Sequence, residues 1–530
     1  MLNYPDRTEI IIGNPGCGKT TELVRRVAEL LEQGIHPTRI AYCSFSVTAI
    51  DEAIKRATEK CGLKKEDFPY FRTLHSFAFQ MLGLNAQQIM QDYHLKEFGM
   101  TMGMNFISSC QNNRKLKISS NDDNKLNIVN IARLYDKPIR EYMIENKIDF
   151  TDVASVQRLA DMYKNYKIMK SVFDYTDMLI LAKTAELDIP ELDYLFIDEA
   201  QDLSTLQWCL VERLAEKSQH IIIAGDDKQS INTFAGADVD YFLKIPGKVT
   251  VLEQSYRVPK RVFSLANRIV KHMDKYREEG SQWKPREEEG TVNYVNYMPF
   301  YQMGSGEWLV LARTNSQLDS LKRMMIDNCD KLTTLFTVNG EPPVDMEVFR
   351  AIELFEMADT PTGLTKMDLI TFKEDDTDEQ RKQKVGYVQL FKKFIGDAST
   401  ERERSAQPWE LTETFLRNYQ KASWTQAFTK LTLSERRYIG FLRPHYAKLG
   451  ENLFDKVPVR LMTIHTAKGT EADNVVVFMK VPRIVAQTMD KYEEDTEVKV
   501  FYVAATRAKK KLYLLTLPIG GPKSYKCYTE

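Results

Sequence analysis

No cysteine pair of the C-x-x-C type occurs in the 530-residue chain. Its seven cysteines, at positions 17, 43, 61, 110, 209, 329 and 527, are scattered and odd in number. That pattern excludes a disulfide framework and a zinc ribbon, and fits a reducing compartment. No apolar run approaches the roughly 18 residues that would span a bilayer. The opening segment MLNYPDRTEIIIGNPG has none of the charged and apolar regions of a signal peptide. We expect no membrane association and a cytoplasmic location. The formal net charge is −1, so no global basic signal announces nucleic acid, and any basic groove must be local. Short-period repeats and long low-complexity stretches are also missing, which excludes solenoids and disordered tails. A chain of this length holds roughly three to five domains.

The octapeptide Gly13-Asn14-Pro15-Gly16-Cys17-Gly18-Lys19-Thr20 is what stands out. It follows the apolar run Ile10-Ile11-Ile12 and opens the helical pattern Leu23-Val24-Val27-Ala28-Leu30-Leu31. Strand, glycine-rich loop and helix together match the phosphate-binding loop. Its glycines let main-chain N–H groups close around phosphate oxygens at a helix N-terminus. Lys19 is placed for the β- and γ-phosphates and Thr20 for Mg²⁺, and Thr21 is a further nucleotide-binding candidate. Cys17, inside this loop beside Lys19, has two readings: a thiol with lowered pKa and raised reactivity, or a small side chain tucked under the loop and inert.

Leu195-Phe196-Ile197-Asp198-Glu199-Ala200-Gln201-Asp202 is an apolar strand ending in adjacent carboxylates, the place where parallel sheets bind ligands. Asp198 is a candidate to hold Mg²⁺ through water and Glu199 to polarise an attacking water. Ala224-Gly225-Asp226-Asp227-Lys228-Gln229-Ser230 follows another strand. It puts Gln229 beside the loop as a γ-phosphate or water sensor.

Strands and helices alternate from the start, at Ile40–Phe45, Ala49–Ala57, Ile221–Ala224 and Val249–Leu252, which predicts a parallel α/β sheet. Residues about 85–170 interrupt it as a polar, helical insertion. A second α/β unit begins near 250, with strands at Trp308–Ala312, Val459–Ile464, Asn474–Met479 and Lys511–Leu515, and a second, largely helical insertion spans about 330–455.

With these residues the chain resembles the superfamily 1A helicases of the UvrD/PcrA/Rep group. Ser44–Ala49 resembles the first strand-binding motif, and Thr73-Leu74-His75-Ser76-Phe77 the TxHSF motif. Phe173–Leu179 is similar to DFxDLL, Gly225–Ala237 to GDDDQSIYxFRGA, and Ser255-Tyr256-Arg257 to NYR. Leu461–Glu471 is similar to LMTIHxAKGLE and Tyr502–Lys509 to YVAxTRAK. The resemblance covers about 60% of the chain, with every motif in order.

The resemblance implies two RecA-like P-loop domains of parallel α/β type, each with a largely helical insertion. Domain 1A is 1–84 with 166–248, and insertion 1B is 85–165. Domain 2A is 249–330 with 455–530, and insertion 2B is 331–454. It implies an ATP- and Mg²⁺-dependent DNA helicase or translocase, moving 3′→5′ on single-stranded DNA as a monomer. Partners would be single-stranded DNA, single-strand/duplex junctions, and replication or repair accessory proteins. An RNA-directed helicase and an ATPase clamp without unwinding are the alternatives. Arg257 and Arg507, on the second α/β unit, would reach the γ-phosphate as arginine fingers. Tyr256 would stack on adenine and Glu471 would accept from the ribose. Phe45, Thr48, His75, Phe234, Thr463 and His465 would contact the strand, Phe234 by base stacking.

Three departures stand against the family pattern. The glutamine expected upstream of the P-loop is absent. The tyrosine and arginine of QSIYxFRGA are replaced by Asn232 and Ala235. The second insertion is also shorter than the family norm.

Overall fold

Three isoleucines between Thr8 and Gly13 build β1 (Thr8–Gly13), whose interior positions face apolar layers on both sides, as in a parallel sheet covered by helices. In the computed structural model the described residues are 1–44, 50–51, 53–55, 57–58, 62–106, 121–146, 148, 153–274, 283–331, 334–357, 369, 373, 376–395, 422–488, 494–517 and 523–529. β1 is joined by β2 (Ile40–Ser44), β3 (Phe71–Thr73), β4 (Leu192–Asp198), β5 (Ser218–Gly225) and β6 (Lys248–Leu252) in the order β3-β2-β4-β5-β1-β6. Every pairing is parallel, with Ile12 opposite Gly225, Gly13 opposite Leu252 and Ser44 opposite Asp198. The C-terminal ends of β1, β4 and β5 therefore lie side by side, and their loops share one edge of the sheet.

The helix Lys19–Glu32 buries Leu23, Val24, Val27, Ala28 and Leu30 on one stripe and closes one face with Tyr42, Phe71 and Phe196. Each such side chain, fully buried, stabilises the fold by about 1.5–3 kcal/mol. The helices Leu74–Met81, Tyr175–Thr184 and Thr205–Glu216 cover the other face.

Between β3 and β4 the chain leaves the sheet unit through a narrow neck. Met90 N donates to Phe173 O at 2.9 Å and Phe173 N donates to Gln88 O at 2.7 Å. Above it stand helices Asp92–Met102, Asn121–Leu134, Ile139–Glu145 and Val153–Lys170, with two small cores of their own. The last helix runs through the expected boundary at 165, and the insertion closes at Phe173. A buried charge cluster fastens it. Arg133 Nη1 and Nη2 donate to Asp174 at 2.8 and 3.2 Å, and Arg133 also pairs with Asp177. Lys167 Nζ reaches Asp174 at 2.6 Å and Asp177 at 2.5 Å.

By packing, the chain divides into two compact units, one of Met1–Val292, Arg483–Lys510 and Ser524–Glu530, the other of Asn293–Pro482 and Lys511–Lys523. This cut differs from the expected domain boundary at 248/249. β6 pairs with β1, and β7 (Gln254–Pro259) pairs with β8 (Lys284–Arg286). The helix Lys260–Val270 packs on the helix Glu494–Ala505, which also meets the turn Asp227–Gln229. Residues 249–292 and Arg483–Lys510 thus belong with the P-loop by contact.

The second sheet contains β9 (Thr291–Val295), β10 (Trp308–Ala312), β11 (Phe336–Val338), β12 (Val459–Thr463), β13 (Ala472–Phe478) and, after the short β14 (Lys480–Val481), β15 (Ala508–Leu515), in the order β11-β12-β10-β13-β15-β9. β10 pairs in parallel with β12 and β13, and β12 with β11. β11 lies inside the stretch expected to be insertion. The described helices Glu347–Met357, Asp378–Phe394 and Leu433–Leu449 share one continuous core with this sheet, centred on Phe355, Phe391, Phe394 and Phe428. Phe336 of the sheet stacks obliquely on Tyr438 of the last helix at 5.4 Å. The second insertion is built into its sheet, unlike the first.

Candidate active site

The P-loop turns on two glycines in left-handed backbone, Gly16 at φ +73° and Gly18 at φ +78°, a conformation side chains disfavour. Space adds a second constraint, since a Cβ at Gly16 would lie 2.3 Å from Arg257 Cβ. β7 straps the loop from outside. Ser255 Oγ donates to Pro15 O at 2.7 Å, and Tyr256 N donates to Gly16 O at 2.9 Å. Lys19 is buried, and its Nζ donates to Gly13 O at 2.6 Å. The ammonium is held over the loop by a single carbonyl that a phosphate oxygen can replace.

Thr20 Oγ1 donates to Asp198 Oδ2 at 2.7 Å, and Tyr42 OH donates to the same oxygen at 2.9 Å. Asp198 is fully buried. Burial, with Glu199 alongside, pushes its carboxyl up to about 6, against the pull of the two hydroxyl donors. A hydroxyl and a carboxylate in contact at the start of a P-loop helix are hard oxygen donors, so these residues fit Mg²⁺.

Glu199 occupies left-handed backbone at φ +52°. For a residue with a side chain this is uncommon and is concentrated at functional sites. The turn directs the carboxylate away from the strand, and Gln201 Nε2 donates to its Oε2 at 2.6 Å. Gln201 is also fully buried, and its Oε1 accepts from Asp226 N at 2.9 Å. Asp226 Oδ2 accepts from Gln229 Nε2 at 2.6 Å, and Gln229 Oε1 accepts from Arg507 Nη2 at 2.8 Å. Arg507 Nε donates to Val503 O at 3.0 Å. One unbroken chain of hydrogen bonds therefore runs Glu199–Gln201–Asp226–Gln229–Arg507.

The structure brings together Gly13 to Thr21, Asp198, Glu199, Gln229, Tyr256, Arg257 and Arg507 in the first compact unit. Both arginines were expected on the second α/β unit. They sit instead in the P-loop's unit, because the segments carrying them pack there. Tyr256 is 73% exposed, its ring open for a base. Glu471 lies in the other unit, where its carbonyl accepts from Arg460 Nη2 at 2.8 Å.

Among the strand-binding candidates, Phe45 and Thr48 lie outside the described residues, as does the side chain of Phe234. His75 is partly covered and meets Tyr175 edge-on at 5.7 Å. Burial pulls its imidazole down to about 4 despite Asp174 nearby, so it is neutral at pH 7. Thr463 Oγ1 shares a hydrogen bond with Thr466 Oγ1 at 2.8 Å, and its N donates to Asn339 Oδ1 at 3.2 Å. His465 follows in the same loop, half-buried.

Of the two readings of Cys17, the structure favours the inert one and goes against the reactive one. The residue is buried, and that desolvation pushes its thiol up to about 11, outweighing the attraction of Lys19. The sequence shows the favourable charge but not the missing water. Sequence reasoning also passed over Tyr42, Gln201, Ser255 and Asn339. Gln201 and Ser255 stood within quoted motifs. Tyr42 and Asn339 act through long-range contacts that no local pattern marks.

The sequence profile of the UvrD/REP helicase N-terminal domain matches residues 1–250, and that of the UvrD-like helicase C-terminal domain matches residues 445–517. The chain is 22% identical over 593 aligned residues to the protein named ATP-dependent DNA helicase PcrA of Staphylococcus epidermidis, covering 95% of this chain and 80% of that one. It is 25% identical to the PcrA of Bacillus subtilis, covering 63% and 46%. It is 26% identical to a probable DNA helicase II homolog of Mycoplasma capricolum, covering 52% and 40%.

Proposed function

The chain belongs to the UvrD/PcrA/Rep family of superfamily 1A helicases, and from that premise we propose that it is an ATP-dependent DNA helicase that translocates 3′→5′ on single-stranded DNA and unwinds duplex ahead of it. The observation that carries this reading is the hydrogen-bonded chain from Glu199 to Arg507. It joins the group placed to activate water to a loop that continues, four residues past Gln229, into the turn holding Phe234. The hydrolytic groups and a strand-binding candidate thus occupy one short segment.

Lys19 exchanges Gly13 O for the β- and γ-phosphate oxygens of ATP. Thr20 and Asp198 would hold Mg²⁺, which would offset the negative charge of the phosphates. Glu199 orients and polarises water for in-line attack on the γ-phosphorus, and ADP leaves. Arg507 and Arg257 stabilise charge on the transferring phosphoryl group. Gln229, held by Asp226 and Arg507, is placed to register whether that group is still attached. Tyr256 stacks on the base and Glu471 accepts from the ribose. Phe45, Thr48, His75, Phe234, Thr463 and His465 are the residues to contact the strand, and Asn339 Oδ1 accepts from the Thr463 main-chain N. The enzyme works as a monomer at single-strand/duplex junctions, with replication or repair proteins as accessories.

Unwinding of a labelled duplex bearing a 3′ or a 5′ single-stranded tail tests activity, substrate and polarity together. Strand separation with only the 3′ tail is expected, together with ATP hydrolysis stimulated by single-stranded DNA. Equal ATPase rates with and without oligonucleotide, or unwinding only of an RNA duplex, would overturn the reading.

A further inference from the structure

The turn Thr233–Ala235 carries Phe234. Hydrogen bonds within it run main chain to main chain, from Ala235 N to Asn232 O at 2.8 Å, Gly236 N to Thr233 O at 2.9 Å and Ala237 N to Asn232 O at 3.4 Å. Where the related motif has a tyrosine and an arginine, this chain has Asn232 and Ala235. One side of the turn is tied to the segment after β4. Ser230 Oγ donates to Gln201 O at 3.1 Å, Asp238 N donates to Leu203 O at 2.8 Å, and Ala237 bridges Ser204.

The other side is met by the first insertion. Tyr135 stands one residue past the helix Asn121–Leu134, and its hydroxyl lies 3.4 Å from Thr233 O and 3.2 Å from Ala237 O. One O–H is thus shared between two carbonyls that flank Phe234 in sequence. Gly236 is left-handed at φ +84°, and a Cβ there would lie 2.8 Å from Leu134 Cβ, so the helix end closes directly on the turn. That helix end cannot drift. Arg133 is forked onto Asp174 and Asp177, Asp136 pairs with Lys183, and the Tyr135 ring stacks on Tyr142 at 5.9 Å. Burial raises the Tyr135 phenol well above its ordinary range, so it remains a donor throughout the working pH range.

We propose that Tyr135 is a positioning residue for strand binding: its hydroxyl lets the insertion hold the 233–237 turn in place, supplying from another part of the chain the anchorage that Asn232 and Ala235 do not give. This rests on the reading above in which Phe234 meets single-stranded DNA. The turn is thereby clamped between the insertion and the Gln201–Ser204 segment, which leads directly to Glu199. Loosening Tyr135 should therefore act on DNA binding and its stimulation of hydrolysis, not on hydrolysis itself.

Tyr135→Phe deletes the hydroxyl and keeps the ring against Tyr142. Three measurements test it in the full chain: amide exchange at Ala235, Gly236 and Ala237 without DNA, oligo-dT affinity by fluorescence anisotropy, and ATPase rates with and without oligo-dT. Exchange at the three amides is expected to rise about tenfold and the oligo-dT Kd about fivefold, the scale of one lost hydrogen bond. DNA-free ATPase should stay within about twofold, because no hydrogen bond of the hydrolytic chain is removed. Phe234→Ala, run in parallel, separates the two claims. If Phe234→Ala weakens oligo-dT binding while Tyr135→Phe leaves exchange and Kd at wild-type values, the inference about Tyr135 is overturned and the strand-binding reading stands. If Phe234→Ala leaves Kd unchanged while Tyr135→Phe speeds exchange, the strand-binding reading of the turn is overturned, and the positioning role with it. A Tyr135→Phe chain that loses DNA-free and DNA-stimulated ATPase in equal proportion would show a structural role only and would also overturn the inference.

Discussion

Arg507 donates from Nη2 to the side-chain oxygen of Gln229 at 2.8 Å while its Nε is committed to Val503 O. The guanidinium is thereby oriented by the chain's own groups. Arg507→Ala should lower kcat for ATP hydrolysis by about 10³-fold, the scale of an arginine finger. Lysine should not rescue it, having no planar fork to make both bonds. A double-mutant cycle with Gln229→Ala should show coupling of about 1–3 kcal/mol in the activation free energy. Additive effects would show that the bond plays no part in the transition state.

Glu199→Gln should abolish steady-state hydrolysis, by about 10²-fold or more, while fluorescent ATP still binds. The amide keeps the shape and a hydrogen bond to Gln201 but cannot polarise water as a carboxylate does. Turnover near wild type would assign the general base to another residue.

Gly16→Ala faces two obstacles at once, the left-handed backbone and Arg257 Cβ at 2.3 Å. The substitution should push β7 off the loop and displace Arg257. ATP binding is expected to weaken by about tenfold or more, with melting lowered by a few degrees, since a strained φ costs about 1–3 kcal/mol. Wild-type nucleotide affinity would mean that the loop and β7 move together without penalty.

His75 gives the chain a pH signature. Its folded-state pKa is lowered to about 4 from 6.5, so the folded state resists protonation that the unfolded chain accepts. The associated stability is fully present above pH 6.5 and is lost as pH falls toward 4. His75→Gln should flatten denaturant stability over that window, by up to about 3 kcal/mol at its acid end. Parallel curves for the two proteins would place His75 in a wetter setting. By the same reasoning its imidazole carries no charge at pH 7, so the strand contact proposed for it would be through neutral hydrogen bonding or packing.

Cys17 should be inert. A thiol raised to about 11 is only about one part in a thousand thiolate at pH 8. Alkylating reagents should leave ATPase activity intact over an hour, and mass spectrometry should find adducts on the exposed Cys527 before Cys17. Rapid loss of activity, prevented by Cys17→Ser, would contradict the buried placement.

How far the sequence could be read depended on the range of each interaction. The P-loop, the Asp198-Glu199 pair and Gln229 were legible because neighbouring residues write their chemistry along one strand and its loop. The parallel sheets were legible from the Ile10–Ile12 and Ile221–Ile223 runs. The packing of Arg257 and Arg507 with the P-loop was not, since it depends on the helix Lys260–Val270 finding Glu494–Ala505 across more than two hundred residues of chain. The core that the second insertion shares with its sheet was not legible for a similar reason. Phe336, Phe391 and Phe428 look like separate helical patches until they meet in one core. Desolvation at Cys17 and the hydroxyl of Tyr42 on Asp198 are likewise invisible to any local window.

The neck at Ile89 and Phe173 has a consequence for modularity. The chain enters and leaves the first insertion through adjacent residues joined by 2.7 and 2.9 Å hydrogen bonds, so a short turn could replace everything between them with little disturbance to the sheet. The same excision would leave buried Asp174 and partly exposed Asp177 without Arg133 and Lys167, and losing one partner of a buried pair typically costs about 3–5 kcal/mol. A minimal version of this protein therefore needs more than a shorter chain. It needs those two aspartates exchanged for neutral side chains at the same time, and any natural shortening of the insertion would have to make the same exchange.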